Sequence, residues 1–159
     1  GTGLGISYIH NNMIFQGAHG MAFEYGASPI AANDQTWEDI LSIRWFHEVS
    51  KKRIGNIKEP IELYDMAENS NNISIDIWIE YGQNLGMFLS NAINMIDPGC
   101  LVVGGGISKA HKFFDSSLKR DLNKYSPSFY NNTIDIIYSE NTKQSSQLGA
   151  AIFLKEQIG

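Results

Sequence analysis

The sequence predicts an α/β domain, and three observations carry that expectation. In its second half the pattern runs helix, strand, helix, strand, helix, the order expected of an α/β layer structure. The strand Leu101-Val102-Val103 is short and wholly apolar, as a parallel strand buried in a sheet should be. The glycines Gly104-Gly105-Gly106 follow it at once, at the sheet edge where open α/β folds bind ligands. A chain of 159 residues, 43% of them hydrophobic, suits one compact domain spanning residues 1–159.

From the N-terminus, Leu4 to Ile9 and Met13 to Phe15 are two β-prone runs separated by Asn11-Asn12. Asn tolerates positive φ, so this pair fits a two-residue hairpin turn. Gly17 to Gly26 is a glycine-rich loop. Thr36 opens a helix with Asp39 as its capping-box partner, and Trp37, Ile40, Leu41 and Trp45 form one apolar stripe. Gly55 follows the cationic end of that helix. A short helix over Ile61 to Glu68 ends at Asn69–Asn72.

The clearest helix runs from about Ser74 to Ile96. Ile77, Tyr81, Leu85, Leu89, Ala92 and Ile96 recur at three- and four-residue steps. Gly82 and Gly86, four apart, would let another backbone approach closely, and a dimer or domain contact is one use for such a face. Pro98-Gly99 ends the helix. After the 101–103 strand, a helix is expected from about Lys109 to Tyr125, a strand over Thr133 to Tyr138, and a closing helix over Ser145 to Lys155.

Charge excludes some functions. The formal net charge is −5, and the one dense basic cluster, Lys51-Lys52-Arg53, sits where a helix dipole wants cations. A nucleic-acid surface needs a basic stripe, and none is present. The single cysteine, Cys100, cannot form an internal disulfide and fits a reducing, cytoplasmic setting. No apolar run approaches the ~20 residues that span a bilayer. The chain has no initiating Met and begins inside a glycine-rich phrase, which suggests a domain cut from a longer protein.

The glycines at 104–106 lack Cβ atoms, so a flat base or a phosphate could touch backbone N–H groups there. A tight strand-to-helix turn explains them equally well. Gly1-Thr2-Gly3-Leu4-Gly5 offers a similar bare turn, with a Thr hydroxyl beside it. It is neither a P-loop nor a dinucleotide fingerprint. Glu24, in a glycine-rich loop, could accept hydrogen bonds from two vicinal hydroxyls of a sugar, or be a solvated loop glutamate. His19 precedes it by five residues; His10, His47 and His111 are scattered, with no metal-ligand spacing. Asp97 reads as a brace for the turn into the strand, and Gln147-Leu148-Gly149-Ala150-Ala151 as a small-residue packing face.

Taken in order, these phrases resemble the ROK family (repressors, open reading frames and kinases). The resemblance rests on Gly1 to Gly5, Gly17 to Gly26, Ile93 to Pro98, Leu101 to Ser108 and Gln147 to Ala151. It covers Gly1 to about Leu154 and is thinnest from Ala27 to Ser74. It implies the C-terminal lobe of a ribonuclease-H-like, actin-like ATPase superfold, with a mixed sheet and flanking helices. By that resemblance Gly1, Thr2 and Gly3 form the second phosphate loop, Gly104, Gly105 and Gly106 the adenosine motif, and Glu24, with His19 nearby, the sugar contact. ATP and Mg²⁺ are the implied cofactors.

The resemblance also implies missing parts. The first phosphate loop and the catalytic general-base Asp would lie upstream, in an N-terminal lobe. The family's sugar- and zinc-binding His falls on Ala27. Its cysteine cluster is replaced by Trp37-Glu38-Asp39-Ile40, so no structural zinc is expected. Two functions remain open: half of an ATP-dependent kinase for a hexose or N-acetylhexosamine, inactive alone, or the effector domain of a sugar-responsive repressor. A homodimer is implied, no membrane partner, and nucleic acid only through an upstream helix-turn-helix.

Overall fold

A computed structural model describes residues 3–30, 34–131 and 134–139. A small antiparallel hairpin opens the chain: β1 (Ile9–His10) pairs with β2 (Met13–Ile14). Asn11 and Asn12 both take positive φ, 51° and 61°, as a two-residue hairpin turn requires. The strands are shorter than the sequence suggests, and Leu4–Tyr8 forms no ladder among the described residues. After the glycine-rich loop, a 3-10 turn spans Glu24–Ala27.

The capping box at Thr36 is present. Asp39 N–H donates to Thr36 Oγ1 (3.3 Å), and Thr36 N–H donates back to Asp39 Oδ2 (2.9 Å). The helix it starts, however, stops early. α1 covers Trp37–Leu41, Ser42 is extended, and α2 runs Ile43–Ile54. The predicted stripe is thus divided between two helices. The bend at Ser42 re-aims the chain so that Trp37 and Leu41 on one segment, and Trp45, Phe46 and Val49 on the next, all reach the core. Gly55 caps α2 with φ 94°.

α3 (Pro60–Glu68) has proline in its first turn and ends before Asn71, which caps α4 (Asn72–Ile96) by accepting from Ser74 N–H at 3.0 Å. α4 is the spine of the domain. Ile77, Trp78, Tyr81, Leu85, Phe88 and Ile93 are buried along it, against Phe46, Leu63, Phe114, Leu118 and Leu122. Its glycines have a definite partner: a Cβ on Gly82 would lie 2.4 Å from the Phe114 carbonyl oxygen, and one on Gly86 2.8 Å from that of Leu118. Both carbonyls belong to α5 (His111–Tyr125). The pair therefore seats a helix of the same chain: the close backbone approach expected there is made by α5, where a dimer or domain contact had been one use for the face.

Asp97 ends α4 in the left-handed region (φ 51°), and its side chain accepts a hydrogen bond from Ser128. β3 (Cys100–Val103) follows, then a 3-10 turn (Ile107–Ala110), α5, the short α6 (Pro127–Asn131) and β4 (Asp135–Tyr138). β3 and β4 are parallel, in register Cys100↔Asp135 to Val103↔Tyr138. Leu101 and Ile136 turn toward the core, whereas Val102 is 67% exposed and Ile137 50%. The expected burial of the strand thus holds for one face only among the described residues. The predicted closing helix over Ser145 to Lys155 lies outside the described residues.

Candidate functional site

Two glycine-bearing turns can present backbone to a ligand. The first is Gly3–Gly5 with the loop that folds against it. Gly17 and Gly20 take φ 71° and 72°, and Ala22 N–H donates to the Gln16 carbonyl at 3.0 Å, closing that loop on itself. Phe23 then also lies in the left-handed region, φ 65°, ψ 22°. For a bulky residue this conformation is strained, and such strain persists only where the surroundings enforce it. Here Phe23 sits between Tyr8 (ring centroids 5.7 Å) and Phe15 (5.9 Å). The reversal delivers Glu24 into its 3-10 turn with its side chain exposed.

That turn is anchored on both sides. Tyr25 stacks on Phe88 of α4 at 5.3 Å and 20°. Gly26 is buried, and a Cβ there would lie 2.8 Å from the Leu4 carbonyl oxygen, so residues 3–5 run directly past the Glu24 turn. From the other side comes Glu38 of α1. Its Oε1 would be 3.1 Å from a Cβ on Gly3. Glu38 is a residue the sequence reading passed over. Asp39 is committed to the Thr36 cap and to Arg44 (3.3 Å), and its carboxyl is held below the ordinary value chiefly by the Thr36 backbone hydrogen bond. The side-chain carboxylates of Glu24 and Glu38 have no hydrogen-bond or ion-pair partner among the described residues. The result is one carboxylate, Glu38, against the Gly3 backbone and a second, Glu24, exposed on the turn that packs on Leu4.

His19 is exposed in the turn between Gly17 and Gly20, and no contact joins it to Glu24 among the described residues. Gly1 and Thr2 lie outside the described residues. Ala27 closes the Glu24 turn with a methyl group, as its sequence dictates. Among the described residues no three His, Cys, Asp or Glu side chains are grouped to hold a metal.

The second turn is Gly104–Gly106. It leaves the C-terminal ends of β3 and β4, held by Ser139 N–H donating to the Val103 carbonyl at 2.9 Å. Gly105 takes φ 94°, and Ser108 Oγ donates to its carbonyl at 2.8 Å. A Cβ at Gly105 or Gly106 would meet nothing within 4 Å. This backbone is therefore open to a ligand, and the 3-10 turn and α5 begin immediately behind it. Contacts among the described residues tie Gly3 to α1 and Gly104 to Ser139, the residue after β4; none of them joins the two turns to each other.

A long α-helical spine beside a parallel β3–β4 pair, with an open glycine turn at its C-terminal edge, forms an α/β lobe. The chain belongs to the ROK family, whose family model matches residues 1–157. It is 25% identical to the xylose repressor of Caldicellulosiruptor bescii, over 86% of this chain and 40% of that one. Its fold matches that of a ROK family glucokinase from Streptomyces griseus, solved with glucose and AMPPNP, with TM-score 0.83 and 19% identity over 96% of this chain and 57% of that one. A ROK family transcriptional regulator, a homolog of the E. coli MLC protein, matches with TM-score 0.82 and 21% identity over 95% of this chain and 43% of that one. The chain thus spans 40–57% of the length of these relatives. No described helix is long and apolar enough to cross a membrane.

Proposed function

We propose that this chain is the nucleotide- and sugar-binding lobe of an ATP-dependent ROK sugar kinase, acting on a hexose or N-acetylhexosamine. One observation carries the reading: the turn that carries the exposed Glu24 packs through Gly26 against Leu4, and the Glu38 carboxylate lies against Gly3 on the same stretch. Carboxylates near an exposed glycine-rich stretch suit a ligand dense in hydroxyl donors, because each ionised oxygen accepts strong hydrogen bonds. In this reading Glu24 grips vicinal hydroxyls and His19 adds a contact from the same loop. Gly1, Thr2 and Gly3 face the terminal phosphates and Gly104, Gly105 and Gly106 the nucleoside.

The open backbone at Gly105 and Gly106 fits a nucleotide. Mg²⁺ would come to this lobe with the nucleotide's phosphates. When bound, it would neutralise charge on the transferring group. The general base that takes the hydroxyl proton is an Asp of a partner lobe outside residues 1–159. This lobe's part is to orient the sugar and, on closure, to exclude water. A second copy of the chain completes the assembly in this reading.

A second reading, the effector domain of a sugar-responsive repressor, is favoured by Ala27, which removes one polar contact from the sugar turn while leaving Glu24 in place. Titration calorimetry of this chain with glucose, xylose, N-acetylglucosamine and ATP separates the two. The kinase reading expects both a sugar and ATP to bind, without turnover in an ATP-coupled assay. Sugar binding with no ATP binding is the result of the effector reading. In both, Glu24→Gln lowers sugar affinity at least tenfold, the scale of a lost charge-assisted hydrogen bond. An unchanged affinity would overturn the sugar site.

A further inference from the structure

We propose that His111, backed by Tyr138, is a stacking ledge for the base of a purine nucleotide held at the Gly104–Gly106 turn. The proposal rests on the nucleotide reading above and adds a residue to it. His111 opens α5, and its imidazole lies on the Tyr138 ring with centroids 4.3 Å apart and planes 16° from parallel. Tyr138 is itself fixed. Its hydroxyl donates to Asp115 Oδ1 at 2.6 Å, Lys119 pairs with the other carboxylate oxygen at 2.8 Å, and the edge of Phe114 meets it from the core. One face of the imidazole is thus covered by an immobilised ring, and the residue is otherwise exposed.

The ledge is also registered to the glycine turn. Ser108 donates its hydroxyl to the Gly105 carbonyl, and its own carbonyl lies 3.2 Å from His111 Nδ1. A single residue therefore ties turn and ring together. Tyr138 pairs with Val103, the last strand residue before Gly104, and Ser139 lies 3.8 Å from a Cβ on Gly104. Bare backbone and an open aromatic face at one sheet edge are complementary to the two ends of a nucleoside. The backbone accommodates the sugar–phosphate and the ring accommodates the base. Base–aromatic stacking is sequence-tolerant and favours the larger ring systems.

The test is one-dimensional proton NMR of the chain at fixed pH, following the imidazole C2–H resonances during titration with ATP, CTP and inorganic tripolyphosphate. His111→Ala assigns the relevant signal among the four histidines. The expected result is an upfield shift of the His111 signal with ATP, a smaller one with CTP and none with tripolyphosphate. His111→Ala should weaken ATP about tenfold and leave tripolyphosphate unchanged, while His111→Phe should retain ATP affinity. ATP binding that leaves the His111 signal and the His111→Ala affinity unaltered overturns the ledge and keeps the nucleotide reading. Failure of both ATP and tripolyphosphate to bind overturns the two together.

Discussion

Replacing Gly82 with alanine tests the seat of α5 on α4. An added Cβ would stand 2.1 Å from Ser117 Oγ, 2.4 Å from the Phe114 carbonyl oxygen and 3.0 Å from Phe114 Cβ. Ordinary van der Waals contact begins near 3.4 Å, so the backbone oxygen is about 1 Å too close. A side chain could rotate away, but this carbonyl is part of a buried helix. Relief requires α4 and α5 to separate along an interface packed with Phe114, Leu118, Trp78 and Tyr81. Overpacking of that kind costs about 3 kcal/mol. Alanine's better helix propensity returns about 1 kcal/mol. The net loss is about 2 kcal/mol, a fall in Tm of about 4–8 °C for a chain of this size. Differential scanning calorimetry reads it directly. Gly99→Ala, whose Cβ meets nothing within 4 Å, is the neutral control. Adding Ser117→Ala to Gly82→Ala removes the nearest atom but not the carbonyl, so it should restore only part of the loss. A Tm for Gly82→Ala at or above that of the parent, or full rescue by Ser117→Ala, refutes the reasoning.

Ser70, exposed at φ 61°, is held in a conformation that costs a non-glycine residue ~1–2 kcal/mol. Ser70→Gly should therefore gain about 0.5 kcal/mol after the extra unfolded-state entropy is subtracted, measured as a higher urea midpoint. Asp39 is held below its ordinary value of 3.8 by the Thr36 hydrogen bonds. Because the folded value is the lower one, its stabilisation is complete above 3.8 and is lost as pH falls through the folded value. Urea midpoints at pH 7 and pH 3 should converge more in Asp39→Asn than in the parent, and equal acid losses would remove the cap from the account.

What was legible in the sequence was local. The Thr36–Asp39 box spans four residues, and the Asn11-Asn12 turn spans two. The α4 stripe repeats every three or four residues, so each could be read within one window of the chain. The break at Ser42 could not. A serine inside an apolar helical stripe reads as a tolerated helix residue, and its extended backbone is imposed by the burial of tryptophans on both sides. The glycines of α4 announced a close approach but not its partner, because Phe114 and Leu118 lie more than thirty residues on.

The same distinction governs the site. Glu38 acquires meaning only when α1 folds back on Gly3, and His111 only when the parallel register of β4 on β3 brings Tyr138 beneath it. A glucokinase and a transcriptional regulator share this fold at nearly equal TM-scores of 0.83 and 0.82, so the backbone common to them cannot be what divides their functions. Both relatives extend well beyond the matched span, so a division of function within this lobe would reside in its side chains. On this lobe the informative positions are the ones facing bare backbone: Glu24 and Glu38 at one turn, His111 at the other. A kinase needs both turns to hold ligand together, whereas a sugar sensor needs only the first. Substitutions at His111 should therefore be silent for sugar binding in either case, and costly for nucleotide binding only in the kinase.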